Sequence, residues 1–162
     1  MSIIWETPQL LFNNLHSEFN FTLDVCALKY NAKCEVFFTP ELDGLSQEWQ
    51  GVCWCNPPFD KTMGSWIEKS YLSAQQGATV VCLFPGNYHD NKWWHDFVMR
   101  SSEIRYMRGR CKFHHFERVT SMRTLIVVFR PFCVGPPQTS SIYITGEPYN
   151  NRIQADAKEP HR

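Results

Sequence analysis

Apolar and polar residues alternate along the first half of the chain in a way that predicts one helix and three strands. Apolar residues at helical spacing predict a helix over residues 8–19, which Thr7 and Pro8 begin as the N-cap and the first helical residue. Short apolar runs predict strands over residues 21–26, 35–39 and 52–55. Two prolines end the third strand, because proline cannot continue the hydrogen bonds of a ladder.

The second half of the chain repeats this alternation. Apolar residues at helical spacing predict a helix over residues 63–74 that Gly77 ends, and another helix that contains Trp93 and Trp94. Further strands are predicted over residues 78–84, 104–107 and 124–129. This order predicts an α/β fold with helices on both faces of a sheet, and the last two strands predict an antiparallel hairpin at one end.

Length and composition fit one domain with a core of its own. The chain has 162 residues, of which 43% are apolar and 15% aromatic. From residue 134 onward Pro, Ser, Asn and Gln dominate, so we expect a domain over residues 1–133 and a polar C-terminal tail over 134–162. Packing of this tail on the domain would involve Ile142, Tyr143, Ile144 and Tyr149. The apolar runs fall far short of the roughly 20 residues that a membrane span needs, and the N-terminus lacks a secretion signal. We therefore expect a cytoplasmic protein without a membrane partner.

The seven cysteines do not follow the spacing of a disulfide or zinc framework. Cys53 and Cys55 lie in one apolar run, where a strand would place both side chains on the same face. Cys111 with His114 and His115 is the only local cluster of Cys and His residues. We expect the cysteines to be small buried hydrophobic residues, and we expect no bound metal.

The net charge of zero is the sum of two opposite segments. Residues 1–60 contain eight acidic and two basic residues, whereas residues 92–123 contain eight basic and three acidic residues. Aromatic residues are interleaved with the cations of the second segment, and such a mixture suits a polyanion with stackable bases. The alternative is a solvated face whose aromatic residues turn into the core.

Polar residues follow the predicted strands at the positions where open α/β sheets bind ligands. Asp24, Asp43, Asn56 and Asn87 each come after a different strand. The sequence has no Gly-x-Gly-x-x-Gly, no phosphate-binding P-loop and no Gly-x-Ser-x-Gly, so these patterns do not explain the site.

The turn Asn56-Pro57-Pro58-Phe59 carries the most specific chemistry in the chain. Its two prolines fix the backbone so that the Asn56 side chain and the Pro57 carbonyl can both point acceptors at one spot. Two such acceptors would hold the amino group of an aromatic ring, and Phe59 would stack on a base flipped out of a duplex. The alternative is a plain turn that ends a strand.

A series of short motifs surrounds this turn and covers roughly residues 5–130. In chain order they are Trp5-x-Thr7-Pro8, Phe21-Thr-Leu-Asp24-Val-Cys-Ala27, Asn31-Ala-Lys-Cys34, Asp43-Gly-Leu45, Trp49-x-Gly51, Trp54-Cys-Asn-Pro-Pro-Phe59 and Gly109-Arg110-x-x-Phe113. The turn matches the [D/N]PP[Y/F] motif of amino-directed, S-adenosylmethionine-dependent methyltransferases. The whole series resembles the bacteriophage DNA N6-adenine methyltransferase (phage Dam) family.

This resemblance implies a Rossmann-like class I methyltransferase sheet and a site-specific, adenine-specific DNA methyltransferase. S-adenosyl-L-methionine would be the methyl donor, S-adenosyl-L-homocysteine the second product, and N6 of a flipped adenine in double-stranded DNA the acceptor. The catalytic residues would be Asn56, Pro57, Pro58 and Phe59. The cofactor-binding residues would be Trp5, Thr7, Pro8, Asp24, Cys26, Phe38, Asp43, Leu45 and Asn56. The chain departs from the usual pattern after the first strand, where Asp24-Val-Cys-Ala27 replaces a Gly-rich loop.

The basic segment would contact DNA, with Arg110 and Lys112 foremost, whereas Trp93 and Trp94 would belong to the core. The predicted DNA-binding residues are Lys92, Arg105, Arg108, Arg110, Lys112, Arg118 and Arg123. We expect a monomer or weak dimer, encoded by a phage or prophage, with evasion of restriction as one candidate purpose. Two alternatives stay open: the same pocket acting on cytosine N4, an RNA adenine or a protein glutamine, and a DNA-binding module that has lost catalysis.

Overall fold

A computed structural model describes residues 5–109, 111 and 123–143 of the chain. Its helices are α1 (Gln9–Phe19), α2 (Met63–Gln75) and α3 (Lys92–Asp96). Its strands are β1 (Leu23–Asp24), β2 (Val52–Cys55), β3 (Thr79–Pro85), β4 (Glu103–Arg108), β5 (Thr124–Phe129) and β6 (Gln138–Tyr143). Short 3₁₀ helices cover Pro40–Leu42, Gly44–Ser46 and Val98–Arg100.

The six strands form one sheet in the order β1-β2-β3-β5-β4-β6. β5 is antiparallel to both of its neighbours, whereas the other neighbouring strands pair in parallel. β1, β2, β3, β4 and β6 therefore run in one direction. Their carboxyl ends lie at the same edge of the sheet as the start of β5, and we call this edge the carboxyl edge.

Helices cover both faces of this sheet, as the alternation of strands and helices predicts. α1 packs on one face, where its apolar residues contact Trp54, Val81 and Ile126. α2 and α3 pack on the other face, against Val80 and Val127 among others. β3 and β5, the two strands at the centre of the sheet, are therefore buried on both faces. This burial explains why their sequences are unbroken apolar runs.

The predicted α2 and its end are confirmed. α2 is followed by Gly77, whose φ of +105° is a left-handed conformation that favours glycine. Trp94 is buried and Trp93 packs against the same core through Phe84, so both tryptophans belong to the core as expected. α2 is also the longest helix in the described part of the chain, and no helix there has the length and hydropathy of a membrane span.

Two expectations about strands are wrong. Residues 35–39 form no strand, and only a single parallel bridge joins Phe37 to Asp24. The β4–β5 pair is antiparallel as predicted but is not at the end of the sheet, because β5 lies between β3 and β4 and β6 pairs with the outer side of β4.

The sheet also extends beyond the boundary predicted at residue 133. The segment assigned to a polar tail contains β6, in which only Ile142 and Tyr143 are buried. Its first residues are exposed and polar because an edge strand needs only its backbone hydrogen bonds and a short apolar contact to join a sheet. The sequence therefore lacks the alternation that identifies a half-buried strand.

Candidate active site

A pocket with a volume of about 190 Å³ opens at the carboxyl edge, beside the ends of β1 and β2. It is lined by the segment before α1, the loop after β1, Pro40 and the turn after β2. Seven of the predicted site residues line it: Trp5, Thr7, Asp24, Cys26, Asn56, Pro57 and Pro58. The sheet thus brings together motifs that lie up to about fifty residues apart in the sequence, as expected for an open α/β sheet.

The side-chain amide of Asn56 is held by the segment before α1. Its Nδ2 donates to the carbonyl oxygen of Trp5 at 2.6 Å and to the hydroxyl of Thr7 at 3.0 Å. A carbonyl oxygen only accepts hydrogen bonds, so the Trp5 contact fixes which end of the amide is the nitrogen. The other end, Asn56 Oδ1, is buried and has no hydrogen-bond partner within the described residues. An unsatisfied buried acceptor at a pocket points to a ligand that donates a hydrogen bond.

Thr7 therefore does not cap α1, contrary to the expectation. Pro8 is the N-cap residue, and no side chain bonds to the first N–H groups of the helix. The Thr7 side chain is buried and turns instead toward Asn56. Because Pro8 supplies the fixed φ that begins a helix, α1 forms without this cap.

Phe59, the last residue of the turn, stacks on Trp5. The two ring centroids are 5.8 Å apart and the ring planes are inclined by 22°. Phe59 also packs against the cores on both faces of the sheet. A pair of rings at this separation leaves no room for a third ring between them, since each stacked contact needs about 3.5–4 Å.

Asp24 lies at the end of β1 and is only 2% exposed. Its carboxylate accepts backbone N–H groups from Cys26 at 3.2 Å and from Lys33 at 2.9 Å. These bonds fold the loop after β1 around the Asp24 carboxylate. Burial raises the pKa of Asp24 to about 6, against the opposing effect of the two backbone hydrogen bonds.

The sequence motifs do not predict that two charged residues, Lys33 and Glu6, line the pocket. Lys33 lies in the motif Asn31-Ala-Lys33-Cys34, nine residues after Asp24 in an irregular loop. The sequence does not indicate that a residue at such a position lies at the pocket. Glu6 lies between two motif positions, Trp5 and Thr7. Only the folding of the loop around Asp24 brings Lys33 to the pocket wall.

Four predicted cofactor-binding residues are not part of the pocket wall. Pro8 begins α1, and Phe38 and Leu45 are half-buried and pack against the core. Asp43 is exposed between two 3₁₀ helices, with a left-handed φ of 51°. Their assignment to the cofactor stays a prediction.

The predicted DNA-binding residues have different environments. Arg105 forms a fork of two 2.7 Å hydrogen bonds with Glu18 and also pairs with Glu103, so its guanidinium is occupied inside the protein. Lys92 is highly exposed and pairs with Asp96 one helical turn away. Arg108 donates to the Tyr143 hydroxyl at 2.9 Å. Arg123 is exposed next to the start of β5, and three more residues lie outside the described residues: Arg110, Lys112 and Arg118.

Four of the seven cysteines are buried and three are only half-buried, so the expectation of buried cysteines holds in part: Cys53, Cys55, Cys82 and Cys111 are buried, and Cys26, Cys34 and Cys133 are half-buried. Burial raises the pKa of Cys26 and Cys53 to about 12 and that of Cys34 to about 11. Thiols with such pKa values are not ionised near neutral pH, so they are poor nucleophiles and poor metal ligands. In the part of the chain that the structure describes, no three His, Cys, Asp or Glu residues are grouped as metal ligands; His114 and His115 lie outside it.

Two comparisons with known proteins give a family match and a similar phage protein. The sequence model of a family described as DNA N-6-adenine-methyltransferase (Dam) matches residues 2–144, which include all described residues. The DNA N-6-adenine-methyltransferase of Haemophilus phage HP1 (strain HP1c1) is 35% identical over 108 residues. That alignment covers 64% of this chain and 61% of the phage protein, so it spans less than two thirds of that relative.

Proposed function

Because the chain belongs to the DNA N-6-adenine-methyltransferase (Dam) family, we propose that it methylates N6 of adenine at specific sites in double-stranded DNA. S-adenosylmethionine is the proposed methyl donor. The observation that carries this proposal is the buried acceptor Asn56 Oδ1, which has no partner among the described residues. Five strands of one direction with a pocket at their carboxyl ends also suit a Rossmann-like class I methyltransferase sheet.

Asn56 Oδ1 accepts a hydrogen bond from the adenine amino group in this mechanism, and the Pro57 carbonyl is the proposed second acceptor. The lone pair of this amino group is normally delocalised into the ring, which makes the nitrogen a poor nucleophile. Two accepted hydrogen bonds draw the nitrogen toward tetrahedral geometry and free the lone pair. No strong base is needed before the transfer, because the methylated nitrogen would be cationic and would release its extra proton to solvent. Positioning with preorganised acceptors supplies most of the rate.

The pocket residues fit the proposed cofactor. S-adenosylmethionine, when bound, supplies a methyl group on a positively charged sulfur. Trp5, Thr7, Asp24 and Cys26 line the pocket and are proposed to hold the cofactor. Pro8, Phe38, Asp43 and Leu45 do not line the pocket and stay proposed cofactor-binding residues.

Phe59 is proposed to stack on the flipped adenine, and the structure adds a condition to this role. One face of Phe59 is covered by Trp5 at 5.8 Å, and the ring also packs on both cores. A base that stacks on this face of Phe59 would have to displace the Trp5 indole. Because the Trp5 carbonyl holds Asn56, only the indole needs to turn while the backbone keeps the amide in place.

DNA is proposed to lie along the carboxyl edge. β4 ends there with Arg108 and β5 begins there after Arg123, and Lys92 begins α3 after β3 ends at the same edge. Arg110, Lys112 and Arg118 fall between β4 and β5 in the sequence and stay in the proposal. Arg105 is not among the proposed DNA contacts, because its bonds with Glu18 and Glu103 would have to break before its guanidinium could reach a phosphate.

The proposed function is tested by incubating the protein with duplex DNA and S-adenosylmethionine carrying a labelled methyl group. We expect label in N6-methyladenine after nucleoside digestion, and a fall of at least about 100-fold for Asn56→Ala, as for other preorganised hydrogen-bonding groups. Asn14→Ala is the control, since Asn14 is a half-buried asparagine of α1 outside the pocket.

Label in N4-methylcytosine, or in RNA or protein rather than DNA, would mean that the methyl acceptor is another planar amino group. Unchanged activity of Asn56→Ala would contradict the assigned mechanism. DNA binding without any affinity for S-adenosylhomocysteine would favour a binding module that has lost catalysis.

A further inference from the structure

Lys33 is the only positively charged residue among the described residues that line the pocket. The other charged residues of the wall are Glu6 and Asp24. A wall with one cation and two carboxyl groups suits a ligand that carries both a negative and a positive charge. It disfavours a phosphate chain, which two carboxylates would repel and one lysine would not balance.

The backbone and the side chain of Lys33 are both anchored. Its backbone N–H donates to Asp24 Oδ2 at 2.9 Å, which ties the residue to the end of β1. Its ammonium group donates to Gln9 Oε1 at 2.9 Å, and Gln9 is the first residue of α1. Gln9 in turn donates to Asn13 Oδ1 at 2.8 Å, so the acceptor is itself held in place.

The hydrogen bond to Gln9 brings no opposite charge into contact with the Lys33 ammonium group. Gln9 is a neutral acceptor, and within the described part of the chain no carboxylate forms an ion pair with the ammonium group. Burial lowers the pKa of Lys33, whereas the charges of Glu6 and Asp24 act in the opposite direction. An ammonium group has three N–H donors, so donors remain for an anion in the pocket.

We propose that Lys33 is the binding residue for the α-carboxylate at the amino-acid end of the cofactor, an inference that rests on the proposed use of S-adenosylmethionine. That end carries one carboxylate and one ammonium group, which matches the mixed charges of the pocket wall. Lys33 acts here in binding and takes no part in the proposed methyl transfer.

Ligands that differ only in the carboxylate provide the test. Calorimetry with the full chain compares S-adenosylhomocysteine with its decarboxylated analogue, which keeps the nucleoside, the sulfur and the amine. We expect the wild-type chain to prefer S-adenosylhomocysteine by about 10- to 100-fold, the strength of a hydrogen bond between charged groups. Lys33→Met should lose this preference by weakening S-adenosylhomocysteine alone, and Lys33→Arg should keep most of it.

Lys29→Met is the matched control, because Lys29 is an exposed lysine of the same loop outside the pocket. It should bind both ligands as the wild-type chain does. A wild-type chain that binds both ligands equally would overturn the assignment of Lys33, as would a Lys33→Met variant that keeps the full preference. A wild-type chain that binds neither ligand would overturn the proposed cofactor itself, and with it this inference.

Discussion

The orientation of one amide decides what the pocket can do at the scale of single residues. Because the Trp5 carbonyl and the Thr7 hydroxyl hold both N–H groups of Asn56, its Oδ1 is left as the acceptor for a ligand. A freely rotating amide would present its donor half of the time and repel an amino group. Trp5 and Thr7 are thus proposed to act as positioning residues for Asn56.

Thr7 can be tested separately from Asn56. Thr7→Val removes the 3.0 Å hydrogen bond but keeps the shape of the side chain, whereas Thr7→Ser keeps the hydroxyl. We expect kcat to fall about tenfold for the valine variant, since a lost buried hydrogen bond costs about 1–2 kcal/mol. Steady-state kinetics should show a much smaller change for the serine variant. Equal kcat values for the two variants would refute a role of the hydroxyl in holding Asn56.

Asp24 gives the stability of the protein an unusual dependence on pH. Its pKa is raised from the ordinary 3.8 to about 6 in the folded state. At pH values between these two, the carboxyl group is mostly protonated in the folded state and mostly ionised in the unfolded state. Stability from this group is therefore lost as pH rises from about 4 to above 6, by a total of about 3 kcal/mol.

Urea unfolding of the wild-type chain and of Asp24→Asn at pH 4 and pH 7.5 measures this effect. The free energy of unfolding of the wild-type chain should fall relative to that of the variant as pH rises. The comparison with the variant removes the contribution of other groups, such as Glu103, whose pKa is lowered in the folded protein. A difference between the two chains that stays constant with pH would contradict the raised pKa.

At the scale of helices and strands, elements with strong apolar periodicity could be predicted and elements held by hydrogen bonds to other segments could not. α1 and α2 bury residues at helical spacing, and β3 and β5 are unbroken apolar runs. Both patterns are visible in the sequence. Residues 35–39 have a similar apolar run but make only one bridge. β6 has almost no apolar run and yet pairs along its whole length with β4.

The same distinction applies to the candidate site. Asp24 is the last residue of β1 and Asn56 directly follows β2, so their meeting at one edge could be predicted from the order of elements. The contact of Thr7 with Asn56 and the position of Lys33 depend on how two irregular segments fold over that edge. Periodicity carries no information about such segments.

β6 provides the test at this scale. Ile142 is 3% exposed and packs in the core on the α1 face, so Ile142→Ala should lower the free energy of unfolding by about 2–4 kcal/mol. Thr139→Ala is the control, since Thr139 is exposed on the same strand, and we expect a change within about 0.5 kcal/mol. Urea denaturation measures both. If Ile142→Ala were as stable as the control, β6 would not be an integral strand of the sheet.

At the scale of the whole molecule, the net charge of zero conceals an arrangement of opposite charges. The acidic first part of the chain supplies all the described residues that line the pocket. The basic part includes the end of β4 and the residue before β5. Both reach the carboxyl edge because five strands run in one direction. The pocket that is proposed to be catalytic and the proposed DNA contacts therefore share one edge despite their distance in sequence.

The salt dependence of DNA binding tests this arrangement. Each phosphate contact adds about 0.9 to the slope of log affinity against log salt concentration, so replacing Arg108 and Arg123 with Gln should lower the slope by about 2. Arg100→Gln is the control, because Arg100 is exposed just before β4 begins, at the opposite edge of the sheet. Equal slopes for the double variant and the control would place the DNA elsewhere.

The central claim, that Asn56 presents an acceptor to the amino group of adenine in DNA, is tested most directly by sequencing DNA for modified bases. DNA from bacteria that produce the wild-type chain should contain N6-methyladenine at one recurring short sequence. DNA from bacteria that produce equal amounts of Asn56→Ala should lack it. The claim would be contradicted by an absence of N6-methyladenine with the wild-type chain, or by the same modification with Asn56→Ala.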